Sequence, residues 1–212
     1  MERLLAKFDC NEDVICITIT SKLSATYATA LIAKDLHEEA KKPNRVYVVD
    51  SLSGCAGQGQ LVKLACELKA RGMCAVEIVK VLEAKKQDLV CFGYLETLDN
   101  AVKSGRISPL KAKIASTLNL KGIVHVTDGL VVPVDKGRGT NKTIDKVLKY
   151  VDENSGNPKG KEAIVCHANN IQVAKKIEQL LLDRGYAKVY LSVIGPVMGT
   201  HTAEKGIIVA TI

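Results

Sequence analysis

The feature that most constrains this chain is an alternation of short β-branched runs with longer stretches of helical character. Residues 14–20 read Val-Ile-Cys-Ile-Thr-Ile-Thr between polar flanks, the pattern of a buried strand. Residues 24–42 are rich in Ala and carry apolar side chains at Tyr27, Ala30, Leu31 and Ala33, which predicts a helix that stops before Pro43. Residues 45–50, Arg-Val-Tyr-Val-Val-Asp, predict the next strand. A strand, a helix and a strand in this order give a crossover connection, hence parallel pairing under helical cover.

Beyond this unit, a Gly-rich stretch over 54–59 leads into a helix expected to end at about Arg71, a further helix is expected over 75–86, and then a strand over 88–94. Short helices are expected over 95–103 and 109–117, either side of a Gly-Arg turn. Thr127-Asp128-Gly129 between apolar runs at 122–126 and 130–134 predicts a hairpin. A helix over 140–154, a solvent loop over 155–160, a strand over 162–167, a helix over 170–184 and strands over 188–194 and 206–212 complete the pattern. A boundary is placed near residue 87, giving units of 1–87 and 88–212. The fold class is α/β, two-lobed, with parallel or mixed sheets covered by helices.

Composition narrows the function classes. The chain is 47% hydrophobic but only 4% aromatic, with two Phe and no Trp. Its apolar mass is aliphatic, which suits an alkyl chain and offers few platforms for stacking bases. The net charge of +7 is spread among acids, as in Lys34-Asp35-Leu36-His37-Glu38-Glu39, so no nucleic-acid partner is expected. Seven Cys without a CxxC pair, several of them in apolar runs, read as buried, reduced thiols of a cytoplasmic protein rather than a zinc site. No run of about 18 apolar residues and no signal peptide occurs, so neither a membrane span nor export is expected.

Several segments could carry chemistry. Thr20-Ser21-Lys22-Leu23-Ser24-Ala25-Thr26-Tyr27 crowds hydroxyls at a helix start. There Ser21 or Ser24 could cap the helix, or free N–H groups could receive a carboxylate or phosphate. Arg106 in Ser104-Gly105-Arg106-Ile107-Ser108-Pro109, and Arg138 in Lys136-Gly137-Arg138-Gly139-Thr140, are cations in Gly-containing loops. Either could grip an anion or stay solvated. His167 ends a strand, where ligands of open α/β sheets bind, but a lone His there is more often structural. Gly195-Pro196-Val197-Met198-Gly199-Thr200-His201-Thr202 reads as a special backbone path, a site or a structural turn. Gly57-Gln58-Gly59 lacks the third Gly and downstream acid of a dinucleotide fingerprint. His37 with Glu38-Glu39 reads as a solvated helix face, and His125 as structural. No Ser-His-Asp order, metal cluster or carboxylate pair emerges.

Six of these motifs together resemble the DegV family: Ser21-Lys22-Leu23-Ser24-Ala25-Thr26-Tyr27, Val49-Asp50-Ser51, Leu95-Glu96-Thr97-Leu98 followed by Gly105-Arg106-Ile107-Ser108, Lys136-Gly137-Arg138, Val165-Cys166-His167-Ala168, and Ile194 through Thr202. The resemblance spans essentially the whole chain. It implies a two-lobed fold holding a long-chain fatty acid, no cofactor and no catalysis by the chain itself. It also implies an ATP-dependent fatty acid kinase subunit as partner, which phosphorylates the presented carboxylate. Ser24 is then expected at the carboxylate, with Ser21, Thr200, His201 and Arg106 around the head group, and Arg106 and Arg138 at the docking surface for the kinase. The chain departs from the family pattern at Ser104, where a Gly is usual, at Ala25, and at Thr202-Ala203-Glu204-Lys205-Gly206. A preceding Thr-Ser-x-Pro segment has no counterpart, so the first lobe is expected to be truncated. A rival expectation is a small-carbonyl-binding enzyme domain, similar to dihydroxyacetone kinases, using His201 or His167.

Overall fold

The computed structural model of the protein describes residues 1–108 and 120–212; the helix expected over 109–117 lies outside the described residues. Strand β1 (Val14–Thr18) pairs in parallel with β2 (Val46–Asp50). Helix α2 (Thr26–Glu39) makes the crossover. β1 ends two residues earlier than expected because Thr20 turns away, its N–H donating to the Ser53 carbonyl at 2.8 Å.

The sequence reading passed over α1 (Glu2–Phe8), which precedes β1. One buried side chain anchors it: Phe8 packs with Ala33 and Val46. Asn44 completes the contact, its Nδ2 donating to the Phe8 and Glu12 carbonyls at 2.9 and 3.0 Å. Its Oδ1 lies 3.1 Å from His37 Nε2, and the His37 ring meets Phe8 edge-on. His37 is therefore buried, which corrects the expectation of a solvated face. The polar ring is tolerated inside because Asn44 satisfies it.

The chain continues through α3 (Cys55–Ala70), α4 (Ala75–Lys85), β3 (Val90–Leu95), α5 (Asp99–Lys103), β4 (Lys121–Thr127), β5 (Leu130–Gly137), α6 (Thr140–Ser155), β6 (Glu162–His167), α7 (Ile171–Asp183), β7 (Lys188–Val193), α8 (Pro196–Thr202) and β8 (Ile207–Thr211). Leu95 thus completes a strand and does not begin a helix. α8 occupies the segment read as an irregular backbone path; Pro196 opens it, where its fixed φ costs nothing.

The six later strands form a second sheet in the order β5-β4-β3-β8-β6-β7. Only β6 and β7, joined through α7, are parallel; the other pairs are antiparallel. The parallel expectation holds only where a helix bridges two strands, since a hairpin such as β4–β5 forces the opposite pairing. The final strand, β8, is inserted between β3 and β6 and is buried throughout. Its run Ile-Ile-Val-Ala is what a strand covered on both faces requires.

No described strand pairs between the two sheets, but α3 packs on both. Leu61 and Leu68 join Val49, Ile78 and Leu82 beneath the first sheet, while Ala56 joins Cys91 and Ala210 under the second. Gln60, buried between them, donates through Nε2 to the carbonyls of Ala210 (2.8 Å) and Glu162 (3.2 Å). A Cβ at Gly57 would stand 2.1 Å from Ser53 Oγ. The Gly57-Gln58-Gly59 spacing thus serves close packing inside a helix, not a dinucleotide.

All seven cysteines are free, but only Cys91 and Cys166 are buried; Cys10, Cys66 and Cys74 are exposed. Apolar neighbours in sequence misled here. Cys66 lies on the outer side of α3, and Cys74 precedes α4, where Glu77 accepts its backbone N–H at 3.0 Å. Among the described residues, no helix is long and apolar enough to cross a membrane.

Candidate functional site

The second sheet is covered differently on its two faces. One face carries Phe92, Tyr94, Ile123, Val165 and Val209 against α6 and α7, whose Ile144, Leu148, Ile177 and Leu181 are buried. The opposite face carries Val124, Ile208 and Ala210 and meets α3, α5, α8 and the turn after β1. These elements leave a cleft of about 930 Å³ including its open mouth.

The wall of the cleft is aliphatic. Ile19 and Leu23 come from the turn after β1, Val124 and Val126 from β4, Val131 from β5, Ile208 from β8 and Met198 from α8. The β4–β5 hairpin leans its tip on that turn. Gly129 has φ +78°, and a Cβ there would meet Thr20 Oγ1 at 2.3 Å, so only Gly permits the approach. The floor includes Gly54 and Cys55 at the start of α3. A hydrogen bond between the Cys166 and Cys55 side chains holds the pKa of the Cys55 thiol below its ordinary value and pushes that of Cys166 up.

The polar groups lie along one connected edge. Ser24 and Thr26 hydroxyls are 2.8 Å apart, and the Thr26 N–H donates to Ser24 Oγ at 3.2 Å. Arg106 Nε donates to the Leu23 carbonyl at 3.3 Å, and its Nη1 donates to the Ser104 carbonyl at 2.6 Å. Ser104 Oγ in turn lies 2.9 Å from His201 Nδ1. Leu23, Arg106, Ser104 and His201 therefore form a chain of contacts from the β1–α2 turn across α5 to α8. Ser24, Arg106 and His201 all line the cleft. Chemically this is an alkyl-lined groove edged by hydroxyls, one guanidinium and one imidazole, a set that can receive an anion.

Other expected site residues lie elsewhere. Ser21 is exposed, and its N–H reaches the Asp50 carboxylate at 3.2 Å. Thr200 is exposed, its hydroxyl donating back to the Val197 carbonyl at 2.7 Å. Helical spacing explains this: adjacent positions on α8 point about 100° apart, so Thr200 faces away when His201 faces in. Arg138 is exposed on the loop after β5 and does not line the cleft. His167 is buried, and its Nδ1 accepts the Asn170 N–H at 3.2 Å at the start of α7. It does not line the cleft. His125 stacks on Phe92 with ring centroids 4.0 Å apart. Among the described residues, no group of three or more His, Cys, Asp or Glu is placed to hold a metal ion.

Sequence reasoning missed Val126, Val131, Met198 and Ile208, which look like any other strand or helix core. It also missed the part played by Ser104, whose only signal was the departure from the usual Gly.

Comparison with known proteins agrees with this architecture. A curated DegV domain-containing protein of Clostridium acetobutylicum is 34% identical over 196 residues, 91% of this chain and 67% of its own length. Protein DegV of Bacillus subtilis is 32% identical over 193 residues, 90% of this chain and 67% of its own length. Its solved structure, described as a fatty acid binding protein, has a TM-score of 0.83 at 29% identity, covering 99% of this chain and 75% of that one. A DegV family protein of Eubacterium eligens, solved loaded with heptadecanoic acid, has a TM-score of 0.91 at 25% identity, covering 99% of this chain and 76% of that one. The chain thus spans about two thirds of the length of the curated relatives it matches. The model of the DegV family of uncharacterised proteins matches residues 1–211, and with this architecture the chain belongs to the DegV family.

Proposed function

We propose that this chain carries the binding site of a long-chain fatty acid, with the carboxylate at the polar edge and the tail along the aliphatic wall. The observation that carries the reading is the joining of Ser24, Arg106 and His201 at one edge of an otherwise aliphatic cleft. Ser24 and His201 are assigned to the carboxylate. Arg106 braces the turn that holds Ser24 and supplies positive charge at the mouth. The tail lies along Val124, Val126, Val131 and Ile208. Each buried methylene contributes about 0.8 kcal/mol. A sixteen-carbon acid thus gains roughly 11 kcal/mol, enough to offset the lower estimates of association cost, about 4–15 kcal/mol. A holder of this kind requires no nucleophile and no metal. The solved relatives support the ligand class: one was solved loaded with heptadecanoic acid, and another is described as a fatty acid binding protein.

The finer reading is that the chain presents the carboxylate to a separate ATP-dependent kinase subunit in the cytoplasm. The motif set supports it, together with the exposure of Arg106 and Arg138. Organic extraction of the purified protein followed by mass spectrometry, and titration with a fluorescent fatty acid, test the first reading. A long-chain acid in the extract is expected, and Ser24→Ala should weaken binding by about 10- to 150-fold, the loss of one hydrogen bond to a charged group. No acid in the extract and no binding in the titration overturns the assignment.

A further inference from the structure

We infer that Asp50, at the end of β2, is a positioning residue for the head-group site: its carboxylate ties down the turn after β1 and so sets where Ser24 meets the bound carboxylate. The inference rests on the fatty-acid reading above and concerns a residue that does not itself line the cleft.

The turn runs from Thr20 to Ser24 and presents Leu23 and Ser24 to the cleft. Within it, the Leu23 and Ser24 N–H groups both donate to the Thr20 carbonyl, at 3.1 and 3.3 Å. Ser24 therefore follows Thr20 and Ser21, and those two residues are held from the loop after β2. The Thr20 N–H donates to the Ser53 carbonyl at 2.8 Å. The Ser21 N–H points between the two Asp50 carboxylate oxygens, 3.2 Å from each. Asp50 also shapes its own loop. Its Oδ1 accepts the Leu52 N–H at 3.0 Å, the turn by which an Asp side chain closes a bend two residues on. Leu52 takes φ +50° there, and Ser51 Oγ donates to the Ser53 carbonyl at 2.9 Å. One side chain thus joins the loop after β2 to a turn 29 residues earlier. On the cleft side the same turn is held by Arg106, through the Leu23 carbonyl. Ser24 is suspended between these two holds.

Charge separates this role from an electrostatic one. Asp50 is an anion, half-buried, tied to the turn that carries a site assigned to another anion. By Coulomb's law alone, removing it favours an incoming carboxylate. By position, removing it releases Ser21 and lets Ser24 drift, so the acid is held less well. The two effects have opposite signs. They part again in Asp50→Asn, which loses the charge but keeps Oδ1, the oxygen that both N–H groups reach.

Isothermal titration of the delipidated protein with dodecanoate and with dodecanol, which has the same tail and no charged head, reads the role directly. Asp50→Ala should weaken dodecanoate about tenfold or more, the lower end for one hydrogen bond to a charged group, and dodecanol less than about twofold. Asp50→Asn should stay within about threefold of the unaltered protein for both. In a Ser24→Ala background, Asp50→Ala should cost dodecanoate less than about twofold further, since residues acting through one another are not additive. Asp50→Ser is the second variant, for the case that Asp50→Ala does not fold. Its hydroxyl can still take the Leu52 N–H but is one atom shorter towards Ser21, so the ratio of acid to alcohol affinity should fall there too. Equal losses for acid and alcohol, unchanged or tighter dodecanoate binding, or full additivity with Ser24→Ala overturns the inference and leaves the fatty-acid reading standing. So does a loss in Asp50→Asn as large as in Asp50→Ala. No binding of dodecanoate or any longer acid by the unaltered protein overturns both.

Discussion

The two faces of the six-stranded sheet are built from the same kinds of side chain and end differently. On one face, α6 and α7 lie across Phe92, Tyr94, Val165 and Val209, and the layer closes completely. On the other, among the described residues, α3, α5 and α8 are set around Val124 and Ile208, and the β4–β5 hairpin leans inward. Length is part of the difference. α6 and α7 run 16 and 13 residues, whereas α5 and α8 run 5 and 7. Short helices with ends near the sheet cannot tile it, so a groove remains, and their exposed polar ends supply its edge. Among the described residues, the cleft is a core face left partly uncovered.

This contrast can be broken by mutation. The largest effect is expected on the closed face. Leu148→Ala removes a fully buried side chain between α6 and the sheet, and should lower the unfolding free energy by about 2–5 kcal/mol, read by urea denaturation. A loss under about 1 kcal/mol would mean that this face is as loosely packed as the other.

A smaller effect is expected from Val126→Ala, in the half-buried wall of the cleft. There the stability change should be slight, because the side chain already borders open space. Fatty-acid affinity should drop by roughly 1 kcal/mol, about fivefold, as tail contacts are lost. If stability drops as far as in Leu148→Ala, the cleft wall is core rather than site.

The last effect is absent at neutral pH. Burial, with the nearby Glu96 carboxylate, pushes the Tyr94 phenol up to about 12. Burial likewise pushes the Cys91 thiol, on the opposite face, up to about 12. Both folded values are raised, so the unfolded chain releases these protons first. Their stabilising contribution is complete below the unfolded values and is lost as pH rises from about 9 towards 12. Denaturation curves should show falling stability over that window, with a shallower fall in Tyr94→Phe. An unchanged slope in that variant would place the loss elsewhere.

Much of this was legible in the residues themselves. The β1–α2–β2 unit follows from β-branched runs around an Ala-rich segment, and the β4–β5 hairpin from Asp128-Gly129 between apolar runs, because backbone sterics act within a few residues. The hydroxyl cluster at Ser24 and the Gly-flanked Arg106 could likewise be picked out as anion-binding types, though not placed. α1 escaped notice because its single buried anchor, Phe8, makes no periodic pattern, and α8 because Gly and Pro mask a helix of seven residues.

Tertiary structure alone decided the rest. Val131 lines the cleft and Val165 the closed core, yet nothing in their neighbourhoods in sequence separates a strand facing a groove from one facing a helix. Ser21 and Thr200 had the right chemistry and the wrong direction, and His167 the right place on a strand but a cap to make. Ser104 drew notice only as a departure from pattern, and its meaning depends on His201, 97 residues later in the chain. Local sequence determines which element forms, because propensity and turn chemistry are short-range. It cannot determine which faces meet or which partners a hydroxyl such as that of Ser104 finds, because those depend on groups brought together only when the sheets close.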